Sequence, residues 1–261
     1  MQDFEHLLAG LDVGLFEKIH SQTSENDKRS LLAVEAVTRD IVSSYTYLEI
    51  GSYVGGSLQP HLLDPKCEQI ISIDKRPTAA ADDRGFEQIY ENNTTEFMMN
   101  NLRRISDQAD TKIKTIDGDV GEIEANRIDR KPQLCFIDGE HTDEATWRDY
   151  EFCRDVMTSD GAIIFHDAMI IYNCLGRVVE DLKSRGRQVR AYNLPDVVFV
   201  VEIGDFPLHR SNAIAQMLSD NHVGYLNSLR FTDQYRQFAN RPLFRLARNL
   251  KMKITKANVT K

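Results

Sequence analysis

With 261 residues, 41% of them hydrophobic, the chain can bury a substantial core and suits one main domain with additions. Its formal charge of −8 argues against nucleic acid as a general partner, because a phosphate backbone is bound by basic surfaces. No apolar run approaches the roughly 20 residues that cross a bilayer, and MQDFEHLLAG lacks the basic start and apolar stretch of a secretion leader, so a cytoplasmic location is expected.

Residues 1–44 read as a helical cap, a lid or flanking layer. FEHLLAGL and SLLAVEAVTRDIV repeat apolar residues at spacings of three and four, with SENDK as a polar break between them. The pattern then changes. Short β-rich runs follow in order, TYLEI, QIISID, KIKTID, QLCFID, GAIIFHD, QVRAYN and DVVFVVEI, separated by helical stretches near 55–63, 92–109, 142–158 and 172–185. This alternation predicts an α/β fold: a Rossmann-like, seven-stranded, mostly parallel sheet with helices on both faces, plus N- and C-terminal helical extensions. The last two strands, separated only by Leu194 and Pro195, suggest a closing hairpin. The sheet domain is expected over 45–203 and the C-terminal extension over 204–261.

Between these elements, residues 75–85 (KRPTAAADDRG) show no periodicity and suit a substrate-covering loop. Thr142 is placed to cap the helix that follows it, with Ala145 at the third helical position. The four cysteines, Cys67, Cys135, Cys153 and Cys174, form no CxxC pair and read as reduced packing thiols. From Ser228 onward the charge is +8, leaving −16 on the rest of the chain. Residues 240–254 (NRPLFRLARNLKMKI) form an amphipathic basic segment that could fold back on the acidic body, build a homo-oligomer interface or lie peripherally on the inner face of an anionic membrane.

In an open α/β sheet, ligands gather outside the carboxyl ends of the strands. Here successive strand tips carry Glu49, Asp74, Asp117 with Asp119, Asp138, and His166 with Asp167. The glycine-bearing turn from Gly51 to Gly56 would bring backbone close to a ligand, but it lacks the GxGxxG spacing of dinucleotide sites. Glu49 beside that turn would repel pyrophosphate and favour a cationic ligand. S-Adenosylmethionine has the required ammonium, sulfonium and ribose without a phosphate.

The segment Glu49-Ile50-Gly51-Ser52-Tyr53-Val54-Gly55-Gly56-Ser57, the strand ISID, the segment IDGD, then FIDGEHTDEATWRDYEF and GAIIFHDA together resemble the class I S-adenosylmethionine-dependent methyltransferases. More narrowly they resemble the FIDGxH branch that includes macrolide-sugar and polysaccharide-associated O-methyltransferases, over roughly residues 45–203. The resemblance implies a cofactor site built from Glu49, Gly51, Ser52, Gly55, Ser57, Asp74, Asp119 and Asp138. In it, Gly51 and Gly55 approach the methionine moiety, and Glu49 supports the turn or reaches the ammonium. Asp74 accepts both ribose hydroxyls, and Asp119, or Asp117 in its stead, lies beside the adenine.

By analogy with metal-dependent relatives, Asp138, His166 and Asp167 are candidate ligands for a divalent cation, magnesium being the usual one. An imidazole at His166 departs from that pattern, since magnesium prefers oxygen. His141 is the preferred general base and His166 the second, with Asp138 alongside in the catalytic set. Asp143 stands where relatives often carry an aromatic, and Trp147 reads as packing. The implied function is O-methylation of a hydroxyl on a sugar or small polar metabolite. The alternatives are a non-catalytic cofactor-binding scaffold, or a metal-dependent hydroxylase or hydrolase on the same fold.

Overall fold

The computed structural model describes residues 2–82, 85 and 87–219, with scattered positions between 230 and 244. Residues 1–218 form one compact unit and residues 219–261 a second. The basic segment 240–254 falls outside the described residues apart from Arg241, Pro242 and Phe244. Among the described residues, no helix is long and apolar enough to cross a membrane.

In chain order the first unit contains α1 (Gln2–Ala9), α2 (Glu25–Ile41), β1 (Tyr45–Ile50), α3 (Gln59–Leu63), β2 (Cys67–Asp74), β3 (Ala79–Ala81), β4 (Glu87–Ile89), α4 (Thr95–Arg103) and α5 (Ala109–Lys112). There follow β5 (Ile113–Asp117), β6 (Leu134–Ile137), α6 (Asp143–Val156), β7 (Gly161–Phe165), α7 (Tyr172–Ser184), β8 (Val189–Asn193), β9 (Phe199–Ile203) and α8 (Asn212–Ser219). Seven strands form one sheet in the order β5-β2-β1-β6-β7-β9-β8. The first five run parallel, and β9 enters antiparallel between β7 and β8, so the expected hairpin closes the sheet.

Alternation along the strands sends side chains to two separate cores. Tyr45, Tyr47, Ile70, Phe136 and Ile164 pack with α1, α2, α4 and α8 on one face. Leu48, Ile71, Cys135, Ile163 and Phe165 pack with α6 and α7 on the other. Both faces are dry, which is why the parallel strands read as near-continuous apolar runs. The four cysteines are free and buried.

Several boundaries differ from the sequence expectation for local reasons. The polar SENDK stretch begins a helix: Ser24 accepts a hydrogen bond from the Asp27 amide, and Glu25 and Asp27 lie in the first turn, where the helix dipole favours acids. The 55–63 helix shrinks to α3 because residues 51–57 form the glycine turn. The 92–109 helix breaks after Arg103, with α5 as a separate turn. Residues 75–92 contain the antiparallel β3–β4 hairpin, whose AAA strand carries no alternation to reveal it.

Two local devices fix the region of interest. Gln59, fully buried, donates through Nε2 to the carbonyls of Phe16, Ile19 and Gly56, fastening the N-terminal segment to the glycine turn. Thr142 caps α6 as expected, accepting from the Ala145 amide at 3.1 Å. Thr142→Ala should cost about 1 kcal/mol of unfolding free energy, read as a lower urea midpoint; an unchanged midpoint would remove the cap from the account.

Candidate active site

The parallel ladders set the strand ends level. Ile50 pairs with Ile73 and with Ile137, Ile73 with Ile116, and Ile137 with Phe165. The next residue on each strand is therefore Gly51, Asp74, Asp117, Asp138 and His166, a single row across five strands. Glu49 lies two residues lower, inside the sheet.

Above this row the chain opens into two adjoining clefts. One, of about 250 Å³, is lined by Asp74, Lys75, Gly118, Val120, Glu140, Ala145, Arg148 and Asp149. The other, of about 380 Å³, is lined by His20, Ser21, Gln22, Thr23, Ser52, Ser57, Gln88, His141, His166 and Asp167. Gly51, Tyr53, Ala80, Ala81, Tyr90 and Asp138 border both. The β3–β4 hairpin and residues 20–23 form walls that no motif announced.

The glycine turn is shaped by close approach. Gly51 has φ +94°, and a Cβ there would lie 2.1 Å from the Asp138 carbonyl oxygen. Gly55 has φ +89°, with Met98 and Leu102 side chains just over 3 Å from where a Cβ would stand. Beneath the turn, Glu49 accepts from Ser57 Oγ and from the Tyr47 hydroxyl, each at 2.6 Å. Burial pushes the Glu49 carboxyl up to about 7, against those hydrogen bonds. Glu49 lines neither cleft and holds the turn from below. Ser52 is buried, its Oγ accepting from Ser72; Ser57 faces the larger cleft while donating to Glu49.

Asp74 borders the smaller cleft, with Oδ2 accepting from the Tyr53 amide at 2.8 Å and Oδ1 from the Arg76 amide at 2.6 Å. Arg76 Nη1 also reaches Oδ2 at 3.4 Å, so of the four lone-pair directions on the two oxygens one is left for the cleft. Asp117 is exposed and pairs with Arg76 and Thr95. Asp119 accepts from the Gly121 amide and pairs with Lys75 at 2.8 Å and Arg148 at 3.1 Å; its pKa is lowered by these partners against the effect of burial. Its neighbours Gly118 and Val120 line the cleft.

At the junction of the clefts the imidazoles and carboxylates converge. His166 Nδ1 is 3.1 Å from Asp138 Oδ1 and 3.0 Å from Asp167 Oδ2, and its Nε2 is 3.6 Å from Asp27 Oδ2. His141 Nε2 is 3.0 Å from Asp167 Oδ2 and 3.7 Å from Asp138 Oδ1. Burial opposes a charge on His166, but Asp138, Asp167 and Asp27 outweigh it and raise its pKa well above the usual value. Conversely, burial would raise the Asp138 carboxyl, and His166 and His141 hold it below the ordinary range.

Asp138, His141 and Asp167 each offer a ligand atom within 4.8 Å of the others. His166 stands beside this trio. Asp167 and Tyr53, which line the clefts, adopt φ +52° and +44°, unusual backbone for non-glycine residues.

Asp27 was not visible from sequence. It sits in the first turn of α2, buried, and accepts from the Val197 amide while facing His166. Asp143 accepts from the Cys174 amide and from Asn173 Nδ2, tying α6 to α7. Trp147 packs against the second core with the Arg177 guanidinium 4.1 Å from its ring centroid.

Carboxylates outnumber basic groups in the smaller cleft, where Lys75 and Arg148 are already paired with acids, and stand beside imidazoles in the larger one. This donor set fits a cationic ligand with a diol and fits a polyphosphate poorly.

Residues 48–168 match a family model described as a methyltransferase domain. No curated protein matches the chain. Among solved structures, the O-methyltransferase NovP shares 15% identity, covering 71% of this chain and 82% of its own, with a TM-score of 0.55. The calicheamicin methyltransferase CalS11 shares 15%, covering 78% and 91%, at 0.49. TomG from Streptomyces achromogenes, an O-methyltransferase of tomaymycin synthesis, shares 13%, covering 76% and 88%, at 0.49.

Proposed function

We propose that this chain, which matches a methyltransferase-domain model over residues 48–168, uses S-adenosylmethionine to methylate a hydroxyl of a saccharide or a comparably polyhydroxylated small molecule. The carrying observation is the meeting of two unlike clefts at Asp138. Bound S-adenosylmethionine supplies an electrophilic methyl group on its sulfonium.

Asp74 is placed for the ribose hydroxyls, and the turn from Gly51 to Gly56, held from below by Glu49, Ser52 and Ser57, for the methionine end. The larger cleft presents hydroxyls and amides from Ser21, Gln22, Thr23 and Gln88, together with imidazoles, to an acceptor. Such a lining can pair with several hydroxyls, while Tyr53, Tyr90, Ala80, Ala81 and Ile170 supply apolar contact beside them. The similar structure NovP is named an O-methyltransferase, which agrees with oxygen as the acceptor atom.

Methyl transfer requires acceptor, methyl and sulfur in line, so rigid placement carries much of the rate. Asp138, His141 and Asp167 are the residues that would hold a divalent cation. Two carboxylates and one imidazole suit manganese, iron or zinc better than magnesium alone. Such a cation would supply Lewis acidity to the acceptor hydroxyl. His166, kept charged among three carboxylates, steadies Asp138 and is poorly disposed to accept a proton. In a cation-free enzyme the neutral form of His141 is the candidate base; against burial, Asp138 and Asp167 raise its pKa, so its activity should rise with pH.

Calorimetry with S-adenosylhomocysteine, followed by isotope-labelled methyl transfer to a panel of saccharides and aromatic alcohols, tests the reading. Saturable binding and transfer to saccharide hydroxyls are expected; no binding, or transfer confined to aromatic acceptors, overturns it. Dialysis against EDTA should abolish turnover and Mn²⁺ restore it. Turnover that survives chelation assigns the proton to His141 instead.

A further inference from the structure

At the end of β1 away from the clefts, the sheet and the N-terminal cap enclose a polar cluster that the proposed chemistry does not use. Glu35 on α2, Tyr45 on β1, His61 on α3 and Asp64 just after it are each 5% exposed or less. The Tyr45 hydroxyl lies 3.2 Å from Glu35 Oε1, 2.9 Å from His61 Nδ1 and 2.9 Å from Asp64 Oδ2. A hydroxyl has one hydrogen and two lone pairs, so it donates to one of the three and must accept from the other two. Whichever group takes its hydrogen, at least one of the two carboxyls has to bring a hydrogen of its own.

Asp64 is the carboxyl with a cation: Arg39 Nε stands 2.9 Å from its Oδ1, which also accepts from the Lys66 amide at 2.8 Å. Lys112 donates instead to the carbonyls of Leu62 and Asp64, and Lys66 Nζ to the carbonyl of Arg39. Glu5, half exposed, pairs with the other nitrogens of Arg39. Among the described residues no lysine or arginine forms an ion pair with Glu35, whose second neighbour is His61, with Nδ1 3.4 Å from Oε1. A buried carboxylate without a cation is costly, and protonation removes the cost.

We infer that Glu35 is held as the un-ionised acid and donates its hydrogen to Tyr45, a proton that latches α2 to β1 and α3 and makes the attachment of the N-terminal cap weaken as pH rises. Burial, joined by the Asp64 charge, pushes the Glu35 carboxyl well above its ordinary value, against the Tyr45 hydrogen bond and the charges of Arg39 and Lys112. Burial and Lys112 hold His61 down to about 3, so the ring is neutral and its Nδ1 hydrogen can meet the remaining lone pair of Tyr45. Neither of the other facing groups brings a charge: Tyr47, stacked on His61 at 3.7 Å, donates to Glu49, and burial keeps Cys67 as the thiol. The unfolded chain ionises Glu35 around its ordinary 4.5, whereas the folded chain keeps the proton. The stabilisation is therefore complete below that value and is lost as pH rises toward the folded one. Because α2 also carries Asp27 against His166 and follows the 20–23 wall, the element so fastened is one that shapes the larger cleft.

Glu35→Gln is the test, since an amide donates to Tyr45 at every pH. In urea unfolding of the full chain, the wild type should lose ground to the variant by about tenfold in the folding equilibrium constant per pH unit, roughly a hundredfold from about pH 6 to about pH 8. Glu49 and Asp149, whose carboxyls burial also raises, are common to both proteins and cancel. Difference infrared spectroscopy near neutral pH should show the carbonyl band of a carboxylic acid in the wild type that the variant lacks. If the glutamine chain does not fold, Glu35→Met answers both measurements. A stability difference that does not change with pH overturns the inference, as does an acid band of equal size in the two proteins. A pH-dependent difference without that band puts the proton on His61 and overturns the assignment to Glu35.

Discussion

Asp138→Ala is expected to slow methyl transfer by about 10²–10⁴-fold, with S-adenosylhomocysteine still bound. Asp138 stands where the two clefts meet, and its carboxylate is kept ionised by His166 and His141 despite burial. Removing it takes away one of the three donors of the candidate cation site and the anchor of His166. In the variant His166 retains Asp167 and Asp27, so its charge is not stranded and the fold should persist. Steady-state kinetics, with urea unfolding as the control, checks this. A kcat equal to that of the wild type would place the chemistry elsewhere, and a collapsed unfolding midpoint would show Asp138 to be mainly structural.

Gly51→Ala should destabilise the first unit by about 2–5 kcal/mol, combining left-handed backbone strain with overpacking. The new Cβ would meet the Asp138 carbonyl oxygen at 2.1 Å and the Gly139 Cα at 2.8 Å, backbone atoms with no rotamer to yield. The ends of β1 and β6 are also tied by the Asp138 amide donating to the Ile50 carbonyl at 2.9 Å, so relief requires parting two central strands. Cofactor binding should fall with stability, because the displaced backbone is the turn itself. Gly176→Ala is the control: α7 offers open space there, and the gain in helix propensity should stabilise by about 0.5–1 kcal/mol. Equal unfolding midpoints for Gly51→Ala and the wild type would refute the close approach.

The sheet and its acidic edge were legible because they arise from short-range rules. A strand buried on both faces reads as an apolar run, and a residue that must face a ligand ends that run with a polar side chain. Asp74, Asp138 and His166 all follow this pattern, and the ladders bring them level. Glu49 follows it only superficially: it is an acid within a strand, satisfied by Tyr47 and Ser57 below the turn.

Asp27 was not legible, since in sequence it is an acid in the first turn of a helix, a position that the helix dipole explains by itself. Its pairing with the Val197 amide depends on how α2 settles against the sheet. Asp149 was hidden differently. It occupies a helix rich in charge, where periodicity assigns polar residues to solvent, and its burial follows from the loop after β6 folding over it. The β3–β4 hairpin escaped because alanine and glutamate are weak strand formers, and pairing rather than propensity makes them strands.

The level rung of Ile50, Ile73, Ile116, Ile137 and Phe165 also sets where the chain can change length. Deleting one residue from any of these strands would withdraw its terminal side chain by about 3.3 Å and turn the remainder over to the opposite core. The connector at 104–108, on the far side of the molecule's chemistry, faces no such constraint. Insertions and losses among natural homologues should therefore gather in such connectors and spare the strands.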